Sequence, residues 1–359
     1  MANEQHADVE FRKLHIIQYQ WAWKANPELL LATSDNNEWT SYSDIDNEII
    51  EEAYHAKEKC AILDDCYIDF EKQIAVYYNS GDCSQPVRRT EHTEKNFTFR
   101  EDRFMPNPTV PHNSFVEVTD FREPIFLKNL VDVSKLGREE INQKVCELVE
   151  PAIAGILKEG ELSGKTKQAK WISAQLRNVK DKSPKEIGEC CINLYTRECF
   201  LYRVLNQTMR LCGERGQEHA WFSKVDTLGP FAAILFHHII SEGRCTDIAY
   251  RGALLSEANI QEFRDLASNG KWKTRSFQSF VSCSRNPAIA NLYGNVLFEI
   301  RVSRTFRTMN ISPLSRFPDE EELLLPAGVS FGVESVQYKP AIGKHVIKLW
   351  IPIFNPRDD

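Results

Sequence analysis

Glu320-Glu321-Glu322-Leu323-Leu324-Leu325-Pro326 is the stretch from which the rest of this chain becomes readable. Three acidic residues run directly into three leucines, so a polar loop turns into a buried strand, and proline then ends it. Glu322 is thereby held at the rim of a core, whereas an acidic run on a free surface is solvated. Two short segments precede it in sequence: Ala249-Tyr250-Arg251-Gly252 and Phe280-Val281-Ser282-Cys283-Ser284. Together they supply a cation, a hydroxyl cluster and a carboxylate pair. Arginine offers a planar, always-charged fork that matches a phosphate. A carboxylate stabilises the oxocarbenium-like sugar left when a glycosidic leaving group departs.

The bulk properties narrow the setting. With 359 residues the chain is long enough for two domains, and 42% hydrophobic with 26% charged residues is ordinary for a globular protein. A net charge of -7 argues against a protein held to nucleic acid by phosphate contacts. The polar start Met1 to Asp8 predicts no signal peptide, and no apolar run reaches the ~18 residues that span a bilayer. The polar C-terminus lacks the hydrophobic tail of a lipid-anchor signal. The ten cysteines are scattered, with no Cys-x-x-Cys pair, which predicts reduced thiols in an intracellular protein, cytoplasmic or nuclear. No metal-ligand spacing is legible, and His237-His238 lie in an apolar helical stretch as packed or surface imidazoles.

Along the chain, Asp46 to Tyr54 reads as an amphipathic helix, with Ile49, Ile50, Ala53 and Tyr54 on one side. Tyr67 to Phe70 and Ile74 to Tyr78 read as strands. Asn79-Ser80-Gly81-Asp82 then turns the chain back toward Pro86-Val87-Arg88-Arg89. Residues 93–114 carry Pro106, Pro108 and Pro111 among polar residues and read as a linker. Beyond residue 115, Ile141, Val145, Leu148 and Val149 form a helical stripe. Ser183-Pro184-Lys185-Glu186 is a helix start, with serine as N-cap and glutamate as its capping-box partner. The helix it opens carries apolar residues from Ile187 through Leu205, and another covers Phe231 to Ile240. Short strands follow at 248–250, 277–282, 296–302, 328–336 and 344–351. Helices first and strands later predict an α+β fold with a mostly antiparallel sheet.

In order and composition, the Arg251, Ser282-Cys283-Ser284 and Glu320-Glu321-Glu322 segments resemble the Arg, Ser-x-Ser and Glu-x-Glu motifs of toxin-like ADP-ribosyltransferases. The resemblance covers residues 115–359 and implies that NAD is the co-substrate, with no metal. It implies that Arg251 grips the phosphates and that the main chain of Gly252 binds the nicotinamide amide. Ser282 would orient the catalytic glutamate, Ser284 would support the strand, and Tyr293 would stack on nicotinamide or simply pack. Glu322 would hold the ribose 2'-hydroxyl. Glu320, two residues earlier, is the feature of arginine-specific members, which implies protein arginine acceptors. A guanidinium is protonated at neutral pH, so a second carboxylate is chemically necessary to take its proton. In an extended stretch, residues two apart face the same way and Glu321 points outward. The first motif lacks the histidine of polymer-forming relatives, so transfer of single units is implied.

Residues 10–92 resemble a WWE domain, through Trp21, Trp39 and Glu51, the Ile-Asp-Phe signature at Ile68 to Phe70 and Val87-Arg88-Arg89. Some WWE domains bind an ADP-ribose unit of poly(ADP-ribose), and the residues implied for such a ligand are Tyr42, Tyr67, Arg88 and Arg89. The glutamine usual in ligand-binding members is Ala75 here. The other reading of the same residues is that the tryptophans fill a small core and the arginines face water. Two alternatives to the arginine transferase remain: an NAD glycohydrolase using water, and a catalytically silent adaptor that binds ADP-ribose. Neither nucleic acid nor membrane is an expected partner.

Overall fold

The computed structural model describes residues 19–24, 39–78, 84–91, 116–117, 124–128, 130, 138–212, 216–244, 248–268, 274–303 and 306–351. The expected linker 93–114 and the turn Asn79 to Asp82 lie outside the described residues, as do Cys83 and Cys245. The chain forms two compact units. One combines Met1–Thr98 with Ile156–Gln175 and Leu194–Arg203, and the other comprises Phe99–Gly155, Leu176–Asn193 and Val204–Asp359. Both mix helix and sheet, so the fold class is α+β as the residue pattern predicts.

In the first unit, strands β1 (Tyr19–Lys24), β2 (Trp39–Ser41), β3 (Cys60–Ile62), β4 (Cys66–Asp69), β5 (Ile74–Tyr77) and β6 (Ser84–Glu91) form an antiparallel sheet in the order β2-β1-β6-β5-β4-β3. Helix Asp44–His55 starts at Ser43, whose side chain accepts from the amide of Asp46, and it buries Ile45, Ile50 and Ala53. Ile50 and Ala53 share their core with Trp21, Ala61, Leu63, Ile68, Ala75 and Val87. Tyr54 is 44% exposed, yet its ring stands 5.5 Å from those of Trp21 and Phe70, which covers the edge of this small core.

The helix predicted from Ser183 through Leu205 is two helices, Pro184–Thr196 and Phe200–Arg210. The capping box forms, with Glu186 accepting from the Ser183 amide. The break at 197–199 has a tertiary cause: the Glu198 amide donates to Asp44 at 2.7 Å, a carboxylate 154 residues away. Local helix propensity loses to that capture.

In the second unit, a nine-stranded sheet takes the order β12-β13-β10-β8-β11-β15-β14-β9-β7. Its strands are β7 (Val116–Glu117), β8 (Ile248–Ala253), β9 (Arg275–Phe277), β10 (Val281–Ser284), β11 (Val296–Arg301), β12 (Met309–Asn310), β13 (Glu322–Leu325), β14 (Val329–Lys339) and β15 (Lys344–Trp350). Among these strands β11 and β15 pair in parallel and the other neighbours pair antiparallel. The strand predicted at 277–282 divides in two, because Phe277 pairs with Val329 of β14 while Val281 pairs with Leu325 of β13. Helix Glu257–Ser268 covers one face, with Phe263 packed 5.4 Å from Phe298 and 6.3 Å from Phe331. Among the described residues, no helix is long and apolar enough to cross a membrane.

Candidate active site

The three motifs come together because β8, β10 and β13 are neighbours in the sheet. Along β10, Ser284 pairs with Glu322 and Ser282 with Leu324. Alternation then sets Ser282, Ser284 and Glu322 on one face, while Cys283 joins the apolar core on the other. Burial pushes the Cys283 thiol up to about 12, with the nearby Arg251 and Glu322 charges acting in opposite senses, so it packs as a neutral side chain.

Strands β8 and β10 share a single registered pair, Ser284 with Tyr250. Beyond it they separate, and the side chain of Arg251 bridges the gap: its Nη1 donates to the carbonyl of Ser282. Arg251 is buried and follows the alternation of Ala249 and Ala253. Part of its fork therefore fixes the backbone of the serine strand. The hydroxyl of Ser282 is buried and has no hydrogen-bond partner. A buried hydroxyl left so costs about 1–3 kcal/mol, which a polar ligand atom recovers.

Ser284 is the hinge of the acidic loop. Its Oγ donates to the carbonyl of Glu320 at 2.9 Å and accepts from the amide of Asn286 at 3.0 Å. Glu320 and Glu322 are each 0% exposed, while Glu321 is exposed. The extended backbone expected for this pair does not account for that. Pro318–Glu320 is a 3-10 turn, and Glu321 adopts a left-handed conformation, φ 47 and ψ 44, before the strand begins at Glu322. This conformation is strained for a residue with a Cβ. It is held by the Arg285 amide donating to the Glu321 carbonyl, and by Asn286 Nδ2 donating to Glu321 Oε1 at 3.2 Å. Asn286 is thus a residue that the motif reading missed as part of the site. Its signal was the Asn-Pro helix start, and it does cap helix Pro287–Ala290.

A Cβ at position 252 would lie 2.2 Å from the carbonyl of Ala290 and 2.8 Å from Tyr293. Glycine is required there by the approach of the chain's own 290–293 segment. Tyr293 is buried against that glycine and Ile289. Lys344 was also missed: it donates to the carbonyls of Asn291 and Tyr293 and pins this segment.

The four residues implied for a ligand of the first unit come from three places in the chain: Tyr42 after β2, Tyr67 on β4, and Arg88 with Arg89 on β6. Arg88 and Arg89 are consecutive on β6 and point to opposite faces. Arg89 donates from Nε and Nη2 to Glu51, which also accepts from Trp21 Nε1 at 2.7 Å. Arg88 lies over the ring of Trp39 at 4.3 Å. Tyr67 stands near Tyr78, and Tyr42 packs on the core with its hydroxyl buried and unpartnered. Trp21 is 5% exposed and is a core residue.

Residues 239–350 match the ADP-ribosyltransferase exoenzyme family. Residues 19–89 match the WWE domain. The ADP-ribosyltransferase match takes in Arg251, Ser282, Glu320 and Glu322, and that family uses NAD as its substrate. Among solved structures, the chain is similar to the ADP-ribosyltransferase HopU1 of Pseudomonas syringae pv. Tomato, at 20% identity over 58% of this chain and 97% of that one, TM-score 0.41. It is similar to an ADP-ribosyltransferase from Clostridium botulinum, at 19% identity over 51% and 92%, TM-score 0.37. The type III effector XopAI from Xanthomonas axonopodis pv. citri gives 14% identity over 58% and 88%, TM-score 0.42. No curated protein gives a match to the chain. Among the described residues, no group of three His, Cys, Asp or Glu side chains is arranged to hold a metal ion.

Proposed function

We propose that this chain moves single ADP-ribose units from NAD to arginine side chains of proteins and releases nicotinamide. The observation that carries the reading is a pair of buried glutamates around an exposed Glu321, with Glu322 on the strand face of the unpartnered Ser282 hydroxyl and Glu320 in the turn before it.

The chemistry then divides between the two glutamates. The bond between ribose and nicotinamide breaks, and its electron pair leaves with the nicotinamide nitrogen, which becomes neutral. Glu322 accepts from the ribose 2'-hydroxyl and offsets the positive charge that spreads over the sugar carbon and ring oxygen. Glu320 takes one proton from the acceptor guanidinium. The nitrogen lone pair so freed forms the new bond at the same sugar carbon. Arg251, besides fixing Ser282, offers its remaining N–H groups to the pyrophosphate, and the Ser282 hydroxyl gains a polar partner from the bound nucleotide.

Incubation with labelled NAD and a small guanidino compound tests this. The expected result is equal release of nicotinamide and formation of the ADP-ribosyl guanidine. Nicotinamide release without adduct makes the protein an NAD glycohydrolase. Neither product makes it a silent adaptor.

A further inference from the structure

The WWE domain carries an acidic shelf that the active site does not use. Helix Asp44–His55 contributes Asp44, Asp46, Glu48 and Glu52, and the turn after β3 contributes Asp64 and Asp65. Every one of these carboxylates meets a donor from Ile156–Gln175 or Leu194–Arg203, the two helical segments of the same compact unit. Asp64 accepts from the amides of Lys167 at 2.7 Å and Gln168 at 3.4 Å, capping the start of helix Thr166–Val179. Asp65 pairs with Lys165. Gln168 Nε2 donates to Asp46 at 3.0 Å, and Trp171 Nε1 to Glu52 at 2.8 Å. Arg197, 4% exposed, donates to Glu48 at 3.2 Å and lies 4.9 Å from the Trp171 ring centroid. Glu198 donates its amide to Asp44.

We propose that the WWE domain of this chain is an intramolecular socket, whose acidic shelf is occupied by the chain's own residues 165–171 and 197–198. The partner it fits is a basic, amide-donating helix start, and that partner is already in place. The pattern is too regular for incidental surface contact. One carboxylate caps a helix, another captures the amide at a helix break, and a buried guanidinium is sandwiched between a glutamate and an indole. Burial raises the carboxyl group of Asp46 above its ordinary range, in keeping with a group covered by the docked segment. A face made of carboxylates repels the phosphates of ADP-ribose. Arg89, one of the two arginines implied for such a ligand, is closed on Glu51. The domain's work here is to hold the helical segments that it covers.

Amide hydrogen exchange on the full chain tests this, with Asp64→Ala and Arg197→Ala beside the parent. The socket requires exchange to quicken about ten-fold at Lys167 and Gln168 and also across helix Asp44–His55, because the two sides open together. Amides of β8 and β10 should keep their protection. Unchanged exchange in helix Asp44–His55 in both variants would overturn the proposal, since the segments would then touch without supporting one another. If Arg197→Ala fails to fold, Gln168→Glu sets a like charge beside Asp46 and is read the same way. Millimolar ADP-ribose added to the parent should leave exchange on the shelf unaltered. Added protection there would assign the face to a free ligand instead.

Discussion

Arg89 in the WWE domain and Arg251 in the transferase domain are the same side chain used in opposite ways. Glu51 receives both Nε and Nη2 of Arg89, the indole N–H of Trp21 and His55 at 3.0 Å, and Arg89 lies 3.2 Å over the ring of Tyr19. The network is closed and its members hold one another. In the transferase domain Arg251 is drawn to a backbone carbonyl, and a serine hydroxyl beside it stays buried without a partner. Arg89 is saturated by side chains and locks a small core, whereas Arg251 spends one N–H on a strand backbone. The contrast shows that the role of an arginine is set by the acceptor the scaffold places before it, a carboxylate network in one case and a strand carbonyl in the other.

The largest effect that would sharpen this contrast lies at Glu322. In the proposed reaction Glu322→Gln removes a charge used mainly in the transition state, so nicotinamide release should fall ~100- to 1000-fold, or about 3–4 kcal/mol. Retention of parent turnover would put the carboxylate outside the chemistry.

Acid should separate the two regions. His237 and His238 are buried in helix Val225–Glu242, and burial lowers both to about 4 from 6.5. The unfolded chain binds more protons than the folded one between those values. Stability of the transferase unit is therefore present above pH 6.5 and lost as pH falls toward 4, on the order of 3 kcal/mol per histidine. At Glu51 burial works to raise the carboxyl, but the bonds from Arg89 and Trp21 outweigh it and leave it below its ordinary value. Its contribution persists above the ordinary carboxylate range and is lost only as pH falls through the lowered value. Denaturant titrations at pH 7, 5.5 and 4.5 should show the transferase unit weakening first. A WWE domain that weakens first would reverse this order.

Breaking the closed network directly has a moderate cost. Glu51→Gln should lower the stability of the WWE domain by about 1–3 kcal/mol, while NAD affinity of the folded chain stays at the parent value. Arg251→Lys keeps the charge but loses the fork, so NAD affinity measured by calorimetry should fall ~10-fold, about 1.4 kcal/mol. Unchanged affinity would take Arg251 out of nucleotide binding. Glu321→Gln is the smallest change, with turnover within about two-fold of the parent, because Glu321 is exposed and meets Asn286 only at the loop surface.

Local pattern made part of this legible. The acidic-to-leucine switch marks the start of β13, the alternation of Ser282 and Ser284 marks β10, and the Asn286-Pro287 pair marks a helix start. Each signal lies within a few residues of what it specifies. The remainder depends on partners far along the chain. Nothing in three consecutive glutamates reveals that Glu321 takes a left-handed turn, since that is set by the 285–286 backbone and side chain. Similarly, nothing local to Tyr250-Arg251-Gly252 reveals that Arg251 reaches across to the carbonyl of Ser282. The helix break at 197–199 and the filling of the acidic shelf rest on hydrogen bonds between residues more than 100 apart, as from Lys167 to Asp64.

In the proposed reaction Glu322 acts on the sugar and Glu320 on the acceptor, and Glu320→Gln separates the two roles. Nicotinamide release and ADP-ribosyl guanidine formation should be measured together, from one reaction, in this variant and the parent. Adduct formation should disappear while nicotinamide release remains measurable, because attack by water needs no proton taken from a guanidinium. Adduct formation at the parent rate in Glu320→Gln would contradict this division of roles and remove the arginine assignment.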